Sequence, residues 1–173
     1  MKKILFEGKF KRLVIENGWE YVERINCKGI VVVIALTEDE NIILVEQHRI
    51  PVGSRCIEFP AGLTNDQKEF ANESLAEAAR RELLEETGYE AGQLTQCMQG
   101  PVSSAASGDI ITIFRATQLV KQHEGGGDHT EDITVHVVPL NKVNQWLMDK
   151  QKQGCMIDPK VYGGLYWLQN GLV

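Results

Sequence analysis

Apolar and polar side chains alternate through the first third of the chain. The segments "KRLVIENG" (11–18), "WEYVERINC" (19–27) and "NIILVEQHR" (41–49) show a period of two rich in β-branched residues, and they predict strands. Turn signals at Glu16-Asn17-Gly18 and Glu38-Asp39-Glu40-Asn41 separate them. "GIVVVIAL" (29–36) is apolar on both faces, which assigns it to the centre of a sheet. The next stretch, "IPVGSRCIEFPAGL" (50–63), holds Pro51, Pro60 and Gly62 and reads as a turn-rich crossing. Helical spacing then predicts a helix from about Glu73 to Thr87, opened by a capping box between Ser74 and Glu77 and closed by Gly88. Strands return in "QLTQCMQG" (93–100), "DIITIFRATQL" (109–119) and "DITVHVVPL" (132–140), and helices are predicted in "NKVNQWLMDKQKQG" and "PKVYGGLYWLQNGL". The economical architecture for this order is α/β, with helices on both sides of a mixed sheet. Residues 1–26 form a separate small sheet in this reading, suited to dimerisation, and residues 27–173 form the main domain.

Composition narrows the classes. At 173 residues, 43% apolar and 24% charged, the chain can bury a core without staples. No run approaches the roughly 20 apolar residues that cross a bilayer, and "MKKILFEGKFKRL" lacks the apolar centre and cleavage site of a signal peptide. The expectation is a cytoplasmic protein without a membrane partner. Cys27, Cys56, Cys97 and Cys155 are scattered and read as reduced thiols. A net charge of -6 argues against nucleic acid, whose backbone needs clustered Lys and Arg, and leaves room for a small anion held through a metal.

The chemistry concentrates in "ARRELLEETGYEAG" (79–92). At about 100° per residue, Glu82, Glu85 and Glu86 share one side of the helix, where like charges repel by a few tenths of a kcal/mol per pair. Either solvation with partial pairing to Arg80 and Arg81 offsets this, or a hard divalent cation does, since such ions take carboxylate oxygens.

Set behind "EFPAGL", this helix resembles the signature of the Nudix hydrolases. Glu73, seven intervening residues, and then Arg81-Glu82-Leu83-Leu84-Glu85-Glu86-Thr87-Gly88-Tyr89 match its second part at every specified position. The first part departs: Gly62 lies eleven residues before Glu73, which implies an insertion of about five residues in "LTNDQKEFANES". The resemblance implies a Nudix α/β/α sandwich and a site in which Glu82, Glu86 and the Ala61 carbonyl hold Mg2+, with Mn2+ as the substitute. Glu85 would assist, Arg81 would fix the carboxylates, and Glu73 would cap or orient the helix.

"VEQHRIPVG", "EFPAGL", "GGGDHTEDITVHVVPL" and "IDPKVYGGLYWL" are together similar to the ADP-ribose pyrophosphatase branch, which includes nucleoside diphosphate sugar hydrolases. That branch implies Arg49 and Glu58 as substrate contacts, a substrate-side loop at Ser103, Ser104 and Ser107, and a homodimer that exchanges its N-terminal strands. Where the branch often has Glu-x-Glu-Asp, this chain has His129-Thr130-Glu131-Asp132. Glu131 then takes the metal-ligand position, and the general base is open between His129, Glu131 and Asp128. Gly125–Gly127 would let this loop swing over substrate. Trp19 and Tyr21 are candidates for an aromatic face against a base, with a plain structural role as the alternative. The implied reaction is hydrolysis of the diphosphate of ADP-ribose or a related nucleoside diphosphate sugar. Its rivals are a ligand sensor of the same fold that does not hydrolyse, a nucleoside triphosphatase and a cap-removing RNA enzyme.

Overall fold

Continuous burial along two neighbouring strands builds the centre of the molecule. In the computed structural model, which describes residues 1–64, 70, 72–127 and 131–173, the strands β4 (Gly29–Leu36) and β5 (Asn41–Arg49) are buried on both faces. Val32, Ile34, Ile42 and Leu44 point to one side, where Val143, Leu147, Val161 and Leu165 of two helices cover them. Val31, Val33, Ala35 and Ile43 point to the other, against Ala78, Ala79 and Leu83. A strand with two buried faces needs this continuous apolar run, which is why "GIVVVIAL" marks the sheet centre.

Among the described residues the α-helices are α1 (Leu75–Thr87), α2 (Val143–Lys152) and α3 (Pro159–Gln169), with α1 on the side opposite α2 and α3. Ser74 and Glu77 form the predicted capping box, and Gly88 closes α1 at φ 74°. The remaining strands are β6 (Ser54–Glu58), β7 (Ala61–Thr64), β8 (Tyr89–Pro101), β9 (Ile110–Lys121), β10 (Ile133–Pro139) and β11 (Met156–Ile157). They join β4 and β5 in the order β11-β6-β5-β4-β9-β8, with β10 added to β5 and β7 to β4. The expected helix-sheet-helix layering with a mixed sheet is thus present, since β4 is parallel to β9 and antiparallel to β5.

The segment read as a turn-rich crossing is in fact two short strands, and their placement shapes the site. β4 and β5 pair only at Ala35↔Ile43 and Leu36↔Ile42 before they part. β6 then follows β5 from Val45↔Glu58, while β7 follows β4 at Val32↔Ala61. Phe59 and Pro60 cross the fork, and the Pro60 carbonyl accepts from the Val33 N–H at 2.8 Å. Two strands that diverge leave a crevice.

Before this domain lies a three-stranded antiparallel sheet of β1 (Lys3–Glu7), β2 (Lys11–Glu16) and β3 (Trp19–Arg24). β3 is tied to the main domain by backbone bonds of Val22 with Ala106 and Gly108, at 2.9 and 3.0 Å. β1 is exposed along its whole length, including Ile4, Leu5 and Phe6, and so are Phe10 and Trp19. Among the described residues no helix is long and apolar enough to cross a membrane.

Candidate active site

The fork opens into a cavity of about 450 Å³ between the sheet and the acidic face of α1. Glu58 from β6, Ala61 and Gly62 from β7, and Arg49 from β5 line the sheet side, and Arg81, Glu82 and Glu85 line the helix side. Glu131, Arg24 and Lys160 also line it.

Arg81 organises the helix side. Its Nε and Nη2 hold both carboxylate oxygens of Glu73, at 3.2 and 2.9 Å, and its Nη1 donates to Glu82 at 2.8 Å and Glu85 at 3.1 Å. The Leu63 carbonyl takes another bond at 3.2 Å, and Phe70 lies under the guanidinium at 4.3 Å. Burial works against this cation, yet its bonds to Glu73 and Glu82 raise its pKa further, so it stays charged. A planar fork suits this task and a lysine ammonium does not. Glu73 stands just ahead of the helix and is joined to it through Arg81.

Glu82 and Glu86 are the buried pair. Burial pushes Glu82 up to about 7; Arg81 offsets part of this, while Glu85 and Glu131 add to it. Glu86 is 2% exposed, and its pKa is raised well above the ordinary range, first by burial and then by the charge of Glu82. It accepts from the Ala61 N–H at 3.1 Å. Gly62 makes the arrangement possible, because an added Cβ there would overlap the Glu82 carboxyl group.

Gly126 and Gly127, ahead of Glu131, are bonded back to the end of α1. The N–H groups of Gly126 and Gly127 donate to the carbonyls of Glu86 (2.9 Å) and Glu85 (3.1 Å) at the end of α1. Gly125–Gly127 adopt φ of 73°, 113° and 76°, and a Cβ at Gly127 would strike the Glu131 carboxylate. These glycines serve close approach and left-handed backbone. His129 and Asp128, two of the three candidate bases, lie outside the described residues, as does most of the insertion between Gly62 and Glu73.

Opposite, Arg49 donates to Glu58 through Nε at 2.9 Å and Nη2 at 2.5 Å. Burial disfavours the Arg49 charge, but Glu58 outweighs it and raises the pKa. Ser104 is not brought to the cavity: it is exposed in the turn after β8, and Val102 lines the wall instead. Arg24 and Lys160 were missed. Arg24 ion-pairs with Asp109 at 3.2 Å, and Lys160 follows the Asp158 cap of α3 at 2.5 Å from its carboxylate; only "IDPK", as a capped helix start, carried a signal for the latter.

A model of the NUDIX domain matches residues 28–158, most of the chain. The protein belongs to the Nudix family. A Bacillus methanolicus protein named methanol dehydrogenase activator is 31% identical over 172 residues, covering 95% of this chain and 88% of its own. An ADP-ribose pyrophosphatase of Bacillus subtilis is 34% identical over 146 residues, 80% of this chain and 76% of its own. A GDP-mannose pyrophosphatase of Escherichia coli is 28% identical over 165 residues, 90% and 80%. A solved structure described as an ADP compounds hydrolase shares the fold, with a TM-score of 0.73 at 20% identity over 99% of this chain and 91% of its own. The chain is a Nudix hydrolase of the ADP-ribose pyrophosphatase branch.

Nudix hydrolases generally use divalent metals. Among the described residues no three acidic, His or Cys side chains converge closely enough to grip an ion as they stand. The donor chemistry nevertheless fits one. Burial raises the pKa of both Glu82 and Glu86, the charge of Glu82 adds to the rise at Glu86 and that of Glu131 to both, and a buried charge of this kind calls for a partner. Oxygen donors of this sort suit magnesium, which retains waters and needs few protein ligands.

Proposed function

We propose that this protein hydrolyses the diphosphate linkage of ADP-ribose or a related nucleoside diphosphate sugar, with Mg2+ or Mn2+, giving a nucleoside monophosphate and a sugar phosphate. The observation that carries this reading is one cavity lined both by Glu82, Glu85 and Glu131 and by the Arg49–Glu58 pair, with Glu86 buried beside Glu82. Glu82, Glu86 and the Ala61 carbonyl, with Glu131, would hold the metal. Bound there, a divalent cation neutralises the diphosphate and acidifies a water.

The chain's own groups do the rest. Arg81 keeps Glu82 and Glu85 in register. Arg49 and Glu58 contact the substrate. A water oxygen bonds to one phosphorus as the bridging P–O bond breaks, and the water proton passes to a base. Glu131 is the described candidate for that base, with Glu85 assisting; His129 and Asp128 stand as alternatives.

The relatives are named for different nucleotide sugars, which supports the chemistry more than any one sugar. We also read the protein as a homodimer joined through its N-terminal sheet, because exposed apolar side chains on β1 invite a partner surface. Four free thiols fit a cytoplasmic home.

The test is turnover of ADP-ribose, GDP-mannose, UDP-glucose, a dinucleotide and a nucleoside triphosphate with magnesium, each beside Glu86→Gln. Hydrolysis of a diphosphate sugar that vanishes in the variant supports the reading. Tight binding of ADP-ribose with no turnover anywhere would replace it with the sensor, and turnover of the triphosphate alone would replace the substrate class.

A further inference from the structure

A second polar centre lies away from the cavity, on the outer side of β5. Glu46 is 9% exposed and takes three cations or donors: Arg55 Nε at 2.6 Å, Lys150 Nζ at 2.8 Å and His136 Nε2 at 2.9 Å. Arg55 does more than satisfy this acid. Its Nη1 donates to Asp132 at 2.8 Å, and its Nη2 reaches the Glu46 carbonyl at 3.2 Å and the Thr134 hydroxyl at 3.5 Å. One guanidinium on β6 therefore ties β5 to the residue that leads into β10.

Asp132 is the neighbour of Glu131. Consecutive Cα atoms are about 3.8 Å apart, and side chains of extended neighbours point to opposite sides. The two residues follow this rule: Asp132 meets Arg55, while the Glu131 carboxylate lies against Gly127 at the cavity. On its other flank, the bonds of Gly126 and Gly127 to the end of α1 fix the wall against which Glu131 rests.

We propose that Arg55 is a positioning residue for the reaction: anchored by Glu46, it holds Asp132 and so sets where Glu131 sits in the cavity. The inference rests on the reading of Glu131 as metal ligand or base. The Arg55–Asp132 contact has no strong reason to exist for stability, since Asp132 is 81% exposed and exposed ion pairs contribute little. What it fixes is geometry, and outer partners of metal ligands commonly matter about 10–100-fold for affinity or activity.

The experiment compares full-length Asp132→Ala, Arg55→Ala and Arg55→Lys with Glu131→Gln. Mn2+ binding without substrate is followed by electron paramagnetic resonance, and the magnesium requirement, kcat and KM are measured beside it. Asp132→Ala is expected to weaken Mn2+ binding and raise the magnesium requirement about tenfold, with KM little changed. Arg55→Lys should recover only part of the loss seen in Arg55→Ala, because one ammonium cannot serve both acids. The double variant Arg55→Ala/Asp132→Ala should be no worse than Arg55→Ala. Asp132→Ala keeps the Arg55–Glu46 pair, so it reports even if Arg55→Ala fails to fold. Wild-type metal dependence in Asp132→Ala, with both properties lost in Glu131→Gln, would overturn the positioning role alone. Wild-type behaviour of Glu131→Gln would instead overturn the reading of Glu131.

Discussion

Arg81 grips Glu73 with two nitrogens, Nη2 to Oε1 at 2.9 Å and Nε to Oε2 at 3.2 Å, and has Nη1 left over for Glu82. The residue ahead of the helix and the acid facing the cavity are thus held by one rigid plane. Arg81→Lys should keep the charge and lose this geometry. We expect activity to fall by about two orders of magnitude, as misplaced catalytic groups do, with the protein still folded. Steady-state kinetics beside circular dichroism would check it; normal kcat would show that charge alone suffices.

Glu86→Gln separates function from stability. In metal-free protein the raised pKa values of Glu82 and Glu86 mean that the folded state prefers them protonated. Their contribution is full below the unfolded carboxylate value and is lost as pH rises through the folded values, which for Glu82 is about 7. At neutral pH, replacing Glu86 by an amide should therefore raise the metal-free Tm by about 2–4 °C, the shift that 1 kcal/mol gives a chain this size. The same change should remove activity and any stabilisation by added magnesium. A lower Tm without metal would contradict the burial argument.

Gly62→Ala tests packing in the site. The added methyl overlaps the Glu82 carboxyl group, so that side chain must move. A fall in kcat of about tenfold or more is expected, with a small change in Tm, since Gly62 carries no left-handed backbone. Differential scanning fluorimetry with an activity assay would read both.

Acid should weaken the Glu46 centre in two stages. His136 is pushed down first by burial, against the pull of Glu46, so the unfolded state takes its proton earlier and stability begins to fall below about pH 6.5. Burial would raise Glu46, but bonds from Lys150, His136 and Arg55 overcome it and bring the pKa to about 2. Its stabilisation is present above the unfolded value and is lost as pH falls toward about 2. Glu46→Gln should lower stability by about 3 kcal/mol at pH 7 and flatten the acid limb. Urea melts from pH 7 to pH 3 would show whether the two curves converge.

The N-terminal sheet offers a last test. Ile4, Phe6 and Trp19 are exposed on strands that pack no core of their own beyond Val14. Phe6→Asp should shift a dimer to monomer in sedimentation velocity while leaving Tm of the main domain nearly unchanged; a wild-type sedimentation profile would remove these strands from the interface.

Much of this was legible because it is local. The capping box, Gly88 and the spacing of Glu73, Arg81, Glu82, Glu85 and Glu86 lie within one helix and its entry, where period and chemistry coincide. The β6 and β7 strands were hidden by Pro60 and Gly62, which punctuate a turn in most settings and here cross a fork. The Glu46 centre could not be read at all. Its members are brought together by the β5–β10 pairing and by α2, 90 and 104 residues away along the chain. His136 accordingly carries no local signal in the sequence.

The bonds from Gly126 and Gly127 to the last carbonyls of α1 set an order of events during synthesis. The acidic helix is written early in the chain and is capped by its own Gly88, but the carbonyls of Glu85 and Glu86 are taken by a segment about forty residues downstream, beyond β8 and β9. Contacts so distant in sequence form late, once loop-closure entropy has been overcome. A chain emerging from the ribosome thus carries the glutamates of α1 before it carries Glu131, the acid we propose as their partner at the metal.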